Sequence, residues 1–239
     1  REDFFGTQNG RKSSQGLLDA LQDPSLVAAK RAGEDALLKR LVGKPEARDF
    51  EEGRRLVRES LAASKRLSHE PGWYLARMRG GTLAGIARTL VRMKDESAKP
   101  SAERLPEFAD ANRQTMEARL YSPAPIYPQL EIERMSSMLS GIAEELGLDH
   151  PLVVKLLAGK SPRARATELV RGTKLADVAA RRNPDPADTM IAFMASIDAD
   201  ARAARKSWED EVDAPRELGY GKIAAANFAA FGDSVYPDA

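Results

Sequence analysis

The chain has 239 residues, 42% of them hydrophobic and 31% charged, with a formal net charge of +1 and no cysteine. That length suits one large domain or two small ones, and the composition is that of an ordinary globular protein. The near-zero charge removes the global basic field of a nucleic-acid binder, and the lack of cysteine excludes disulfides, thiolate catalysis and Cys-ligated metal.

Aromatic residues are scarce at 6%, while Ala, Leu, Arg and Glu abound, a profile that favours helix. Asp23-Pro24 is a helix start, since Asp caps free amides and Pro suits the first turn. Val27, Leu37, Leu38, Leu41 and Val42 then share one side, and Gly43-Lys44-Pro45 ends the helix. A second helix carries Phe50, Val57 and Leu61, and His69-Glu70-Pro71-Gly72 is a turn. A third is expected to run unbroken from about Trp73 through Leu75, Met78, Thr82, Ile86, Leu90 and Met93. Gly80, Gly81 and Gly85 weaken it by about 1 kcal/mol each relative to Ala, which calls for a reason such as close helix contact.

Lys99-Pro100-Ser101 opens a further unit with Leu105, Phe108, Ala109, Asn112, Met116 and Leu120 in helical register. Tyr121 to Gln129 is a Pro-rich corner, and Ile132, Met135, Leu139, Ile142 and Leu146 form the cleanest amphipathic stripe. Short helices are expected at about 151–158, 162–171 and 174–181, with Ser161-Pro162 and Gly172-Thr173 as caps. Arg181 to Asp188 reads as a loop. A long helix follows with Met190, Met194, Ile197, Ala201, Ala204 and Trp208, and a last one with Ile223, Asn227, Phe228 and Phe231. Gly232 and Asp233 break that helix, and Val235-Tyr236-Pro237 reads as extended. Roughly three quarters of the chain is expected to be helical, against about one third in an average domain. The fold class is an all-α multi-helix bundle.

Few residues promise chemistry. His69 reads as solvated in a turn and His150 as a residue beside a helix N-terminus; no G-x-S-x-G or other local motif supports a Ser-His-Asp arrangement, and no metal ligand stands at helical spacing from either His. The acidic groups Glu131 and Glu133, Glu144 and Glu145, and Glu209 to Glu211 read as solvated helix faces. The basic stretch Lys160 to Lys174 reads as a charged face, because it lacks the interleaved aromatics of a strand-binding surface. Gly6, Gly10 and Gly16 fit no phosphate-binding loop, and Met135, Met138, Met190 and Met194 read as core filler. No cofactor or metal is expected. There is no apolar run of about 20 residues to span a membrane, and the sequence contains no signal peptide, which a cut end would have removed. Both ends read as cut from a larger protein.

Two stretches go further. "FFGTQNGRKSSQGLL" (Phe4 to Leu18) contains Asn-x-x-Lys-x-x-x-Gly, and the chain ends in "FGDSVYPDA". Together with "ESAKPSAERLPEF" (Glu96 to Phe108), "RGTKLADVAARR" (Arg171 to Arg182) and "DTMIAFMASIDADARAARK" (Asp188 to Lys206), in that order, they resemble the bacterial serine dipeptidyl-peptidases of serine peptidase family 46, typified by dipeptidyl-peptidases seven and eleven. Thr189 stands where members often have Pro.

The resemblance implies a helical cap domain inserted in a chymotrypsin-like double β-barrel, with residues 1–234 as the cap and 235–239 as the start of a strand leading into the barrel. It implies removal of dipeptides from free peptide N-termini by a Ser-His-Asp triad that belongs to the barrel and is absent from this chain. The cap would limit the cleft to two residues before the scissile bond, with Asn9 binding the substrate α-ammonium group. The implied partners are peptides with free N-termini and the barrel of the same polypeptide, with neither nucleic acid nor membrane. The implied location is periplasmic or extracellular, and the full enzyme a possible homodimer. The preference for acidic or hydrophobic side chains would be set by the barrel. The competing readings are a stand-alone helical interaction module, which needs an exposed apolar groove, and a helical nucleic-acid binder, which needs a contiguous basic face.

Overall fold

The computed structural model describes residues 22–78 and 80–235, together with Gly16 and Asp19. Helix of all kinds makes up 79% of the described residues, and none of them forms a strand. The expected all-α class is what the chain adopts. Two compact units divide it, one from Arg1–Ala63 with Glu211–Ala239 and the other from Ser64–Asp210.

In the first unit, α1 (Pro24–Leu41) opens as its sequence dictates: the Asp23 carboxylate accepts from the Ser25 amide at 2.8 Å, and Pro24 occupies the first turn. Leu37 and Leu41 are buried, with Phe50 of α2 (Glu46–Leu67) and Ala226 of α11 (Ala214–Phe231). Among the described residues Val27, Val42, Leu61 and Phe228, expected on inward faces, are exposed. The helices α2 and α11 meet at glycines. A Cβ on Gly53 would lie 2.7 Å from the Gly219 carbonyl oxygen, and one on Gly219 would lie 2.8 Å from that of Gly53. Only a residue without a side chain lets the two backbones approach this closely. Gly232, at φ +58°, ends α11 and leads into a 3-10 turn over Gly232–Val235. Val235, expected to open a strand, lies in that 3-10 turn instead, and the rest of the expected strand, Tyr236–Ala239, lies outside the described residues.

The second unit holds α3 (Pro71–Ala76), α4 (Thr82–Ser97), α5 (Arg113–Leu120), α6 (Pro128–Leu146), α7 (Pro151–Leu157), α8 (Pro162–Gly172), α9 (Val178–Arg182) and α10 (Thr189–Trp208). Pro71, Pro128, Pro151 and Pro162 each open a helix, where the missing N–H costs nothing. The stripe on α6 buries Ile132, Met135, Leu139 and Ile142, mainly against α8, while α10 packs on α3, α4 and α8. Met190, Met194 and Ile197 of α10 are almost fully enclosed, so the methionines act as core filler as read. Gly72 lets Ala204 approach α3, and Trp73 stacks on Trp208 with ring centroids 3.9 Å apart.

Three expected helices are altered here. The long helix from Trp73 is broken into α3 and α4, because Gly81 adopts φ +109°, which belongs to no helix. Gly80 and Gly81 do make the close contacts anticipated for them, against Met135 and Glu131, while Gly85 has open space around it. From Lys99 to Asn112 the chain forms three 3-10 turns rather than an α-helix, since Pro106 pushes Leu105 into extended backbone. The helix expected at 174–181 starts only at Val178, capped by Asp177, and it takes in Arg181 and Arg182 from the expected loop.

The glycine contacts give a paired test. Gly219→Val forces a branched side chain into the Gly53 backbone and is expected to cost about 3 kcal/mol, the upper end for overpacked sites. Gly85→Ala adds a methyl in open space and is expected to stabilise by about 0.5–1 kcal/mol. Urea unfolding of both variants measures the contrast.

Candidate functional site

Both histidines sit where the sequence placed them. His69 is exposed in the turn after α2. His150 caps α7, its Nδ1 accepting from the Leu152 amide at 3.1 Å, so that nitrogen is committed to the backbone. Among the described residues neither imidazole is hydrogen-bonded to a serine hydroxyl or a carboxylate, as a general base in a triad would be. Nor do the described residues contain a group of three or more His, Cys, Asp or Glu able to hold a metal ion. Asn9, the expected substrate contact, lies outside the described residues.

Three of the five cations in the basic stretch Lys160 to Lys174 are paired with two carboxylates. Lys160 and Arg165 both pair with Glu168 at 2.7 Å, and Arg163 pairs with Glu133 at 2.9 Å. Glu133, Glu144, Glu145 and Glu209 to Glu211 are exposed, in line with a solvated reading. Glu131 is the exception and a correction: it is 2% exposed. Its carboxylate accepts from the Leu83 amide at 2.7 Å, in the first turn of α4, and presses on Gly81. It supplies an acceptor to a helix start that has no side-chain cap of its own, where negative charge also suits the helix dipole. One signal was available in the sequence, for Glu131 shares the helical stripe of Met135 and Ile142.

Other buried charges escaped the sequence reading. Arg181 is 2% exposed, and its guanidinium donates to the carbonyls of Leu175, Ala176, Leu120 and Ser122 at 2.7–3.1 Å. It ties α9 to the start of the Pro-rich corner. Burial pulls its pKa below the ordinary guanidinium value, although with four carbonyls as partners it stays charged.

A second cluster joins α4 to α10. Asp198 accepts from Arg92 Nε and Arg202 Nε, both at 2.7 Å. Glu96, fully buried, accepts from Arg202 Nη1 at 2.6 Å, Lys99 Nζ at 2.8 Å and the Leu105 amide at 2.8 Å. Burial pushes the Glu96 carboxyl up, but the hydrogen bonds from Lys99, Arg202 and Leu105 outweigh it and hold the pKa down at about 2. The spacings Arg92/Glu96 and Asp198/Arg202 are i,i+4 pairs of the kind usually found on surfaces, which hid their burial.

Two open cavities of the second unit lie along α4 and α5. One, of about 720 Å³, is lined by Gln114, Ala118, Ser122, Pro125 and Ile126 among others, and the second, of about 560 Å³, by Thr89, Phe108, Asn112, Met116 and Leu120 among others; Thr82, Ile86, Thr115 and Arg119 border both. Hydroxyl, amide and guanidinium groups over apolar walls can bind a ligand.

The chain belongs to the Peptidase S46 family, whose model matches residues 1–239. That is a family of serine peptidases, hydrolases with dipeptidyl-peptidase activity. No curated protein and no solved structure matches the chain. No described helix is long and apolar enough to cross a membrane.

The Glu96 carboxylate sets an acid response. Its folded pKa lies below the ordinary 4.5, so its contribution to stability is complete above pH 4.5 and lost as the pH falls through about 2. The Glu96→Gln variant is expected to be less stable at pH 7 and to lose less of its remaining stability between pH 4.5 and 2. Urea midpoints followed by circular dichroism across that range check the difference in slope.

Proposed function

We propose that this chain is the helical cap of a serine dipeptidyl-peptidase that removes dipeptides from free peptide N-termini, of the type of dipeptidyl-peptidases seven and eleven. The observation that carries the reading is the Peptidase S46 match along the whole chain, set on a fold whose described residues are helical and bring no histidine to a serine and a carboxylate. In this reading the triad stands on a β-barrel domain of the same polypeptide. The cap covers the cleft and limits the substrate to two residues before the scissile bond, and Asn9 anchors its α-ammonium group. The enzyme works in the periplasm or outside the cell, with peptides as substrates, and dimerises through its full-length form.

Nucleophile, base and oxyanion donors have to converge within hydrogen-bond reach. The purified chain is therefore expected to cleave no dipeptidyl substrate. Turnover that survives further purification and disappears with His69→Ala or His150→Ala overturns the cap reading.

Asn9 has the chemistry for the ammonium. Its side-chain oxygen accepts from the three-donor cation, and its NH₂ can hold the amide orientation against neighbouring backbone. A hydrogen bond to a charged group is worth about 1.5–3 kcal/mol. In the full-length protein, Asn9→Ala is expected to lower kcat/KM on dipeptidyl substrates roughly 10- to 150-fold and to leave the circular dichroism spectrum unchanged. Peptides with a blocked amino terminus are expected to lose much less. Equal losses on both kinds of substrate, or none on either, assign Asn9 to structure.

A further inference from the structure

The segment between α4 and α5 is attached unlike the rest of the second unit. It consists of three 3-10 turns, Ser101–Glu103, Pro106–Phe108 and Asp110–Asn112, each closed by short-range backbone bonds such as Phe108 N to Leu105 O at 2.8 Å and Asn112 N to Ala109 O at 2.9 Å. Such turns have poorer hydrogen-bond geometry than α-helix. Phe108 is the only buried residue in them. Besides that ring, the segment is held by polar contacts with α4 and α10: Leu105 N donates to Glu96 at 2.8 Å, and Arg205 grips Glu107 with Nη1 at 2.6 Å and Nη2 at 3.3 Å. Arg92 adds a weaker pull on Glu107 at 3.9 Å. Glu107, Phe108 and Asn112 also form one wall of the cavity of about 560 Å³, whose other walls are α4 and α5.

We propose that residues 101–112 are a strap that opens as a local unit and gates this cavity, with the Glu107–Arg205 pair as its latch. The segment has bonds of its own, Arg104 Nη1 to Asp110 at 2.7 Å, Asp110 N to Ser101 Oγ at 3.0 Å and Asn112 Nδ2 to Pro106 O at 2.8 Å, but with only one buried side chain it opens at a lower free energy than the packed core around it. The core it leaves behind, α6 with α8 and α10 with α3 and α4, shares none of the latch contacts except through Arg205, Arg92 and Glu96. Opening therefore removes one wall of the cavity and leaves the other two in place.

Hydrogen exchange and thiol labelling test the gate together, since the chain has no native cysteine to interfere. The probe is Met116→Cys, on the α5 wall of the cavity, reacted with a small thiol reagent. In the otherwise unchanged protein the amides of residues 103–112 are expected to exchange at least about 100-fold faster than those of α6 and α10. The latch pair is partly exposed, so Glu107→Ala is expected to speed both strap exchange and labelling of the thiol by a common factor of about 2 to 5, with α6 and α10 unaffected. Phe108→Ala, which removes the apolar anchor, is expected to give the same pattern with a factor of about 10 or more. Strap amides that exchange at core rates, or variants that accelerate α6 and α10 equally, overturn local opening. Faster strap exchange with an unchanged thiol rate overturns the gating.

Discussion

A chain cut into many short helices has to find partners for the backbone groups exposed at each cut, and in this molecule charged side chains, several of them buried, supply many of these partners. Each helix end leaves up to four N–H or C=O groups without an internal partner, and burying one unsatisfied costs about 1–3 kcal/mol. Arg181 takes four carbonyls at once, Glu131 takes the Leu83 amide, and Glu96 takes the Leu105 amide. Asp188 takes the Met190 and Ile191 amides at the start of α10 and the Lys174 amide across the turn before α9.

The same arrangement makes the interior sensitive to single changes. Removing one partner of a buried ion pair strands the other, which is far more costly than the net worth of the pair. Asp198 is shared by Arg92 and Arg202, and Arg202 reaches Glu96 as well, so α4, α10 and the segment after α4 depend on one set of charges. The first unit relies on a different device. There the Gly53–Gly219 approach brings two helices together, and Lys222 bridges Asp49 at 2.6 Å and Glu52 at 3.0 Å beside that crossing.

Membership of a serine peptidase family sets these devices in context. A hydrolase needs a nucleophile, a base and oxyanion donors held together. Among the described polar groups, His150 caps a helix, Glu131 and Arg181 bond backbone groups, and Glu96 bonds the Leu105 amide and the Arg202 and Lys99 side chains. Hydroxyl, amide and guanidinium groups line the open cavities along α4 and α5.

The sequence by itself determined the helical class, the apolar stripe of α6, the caps at Asp23 and Ser161, and the proline helix starts, because each rests on interactions within a few residues. It also carried the family, through segments spread along the whole chain. The break between α3 and α4 was beyond it, since Gly81 leaves the helix to meet Glu131, fifty residues later in the chain. The burial of Glu96, Asp198 and Arg181 was beyond it for the same reason: a charged residue is placed inside only by partners that the fold brings from elsewhere. Periodicity reports which face is apolar, and local chemistry reports where helices begin. Which charges are buried, and which glycines touch another backbone, was decided by the tertiary structure alone, because only long-range packing sets the partners that make those positions affordable.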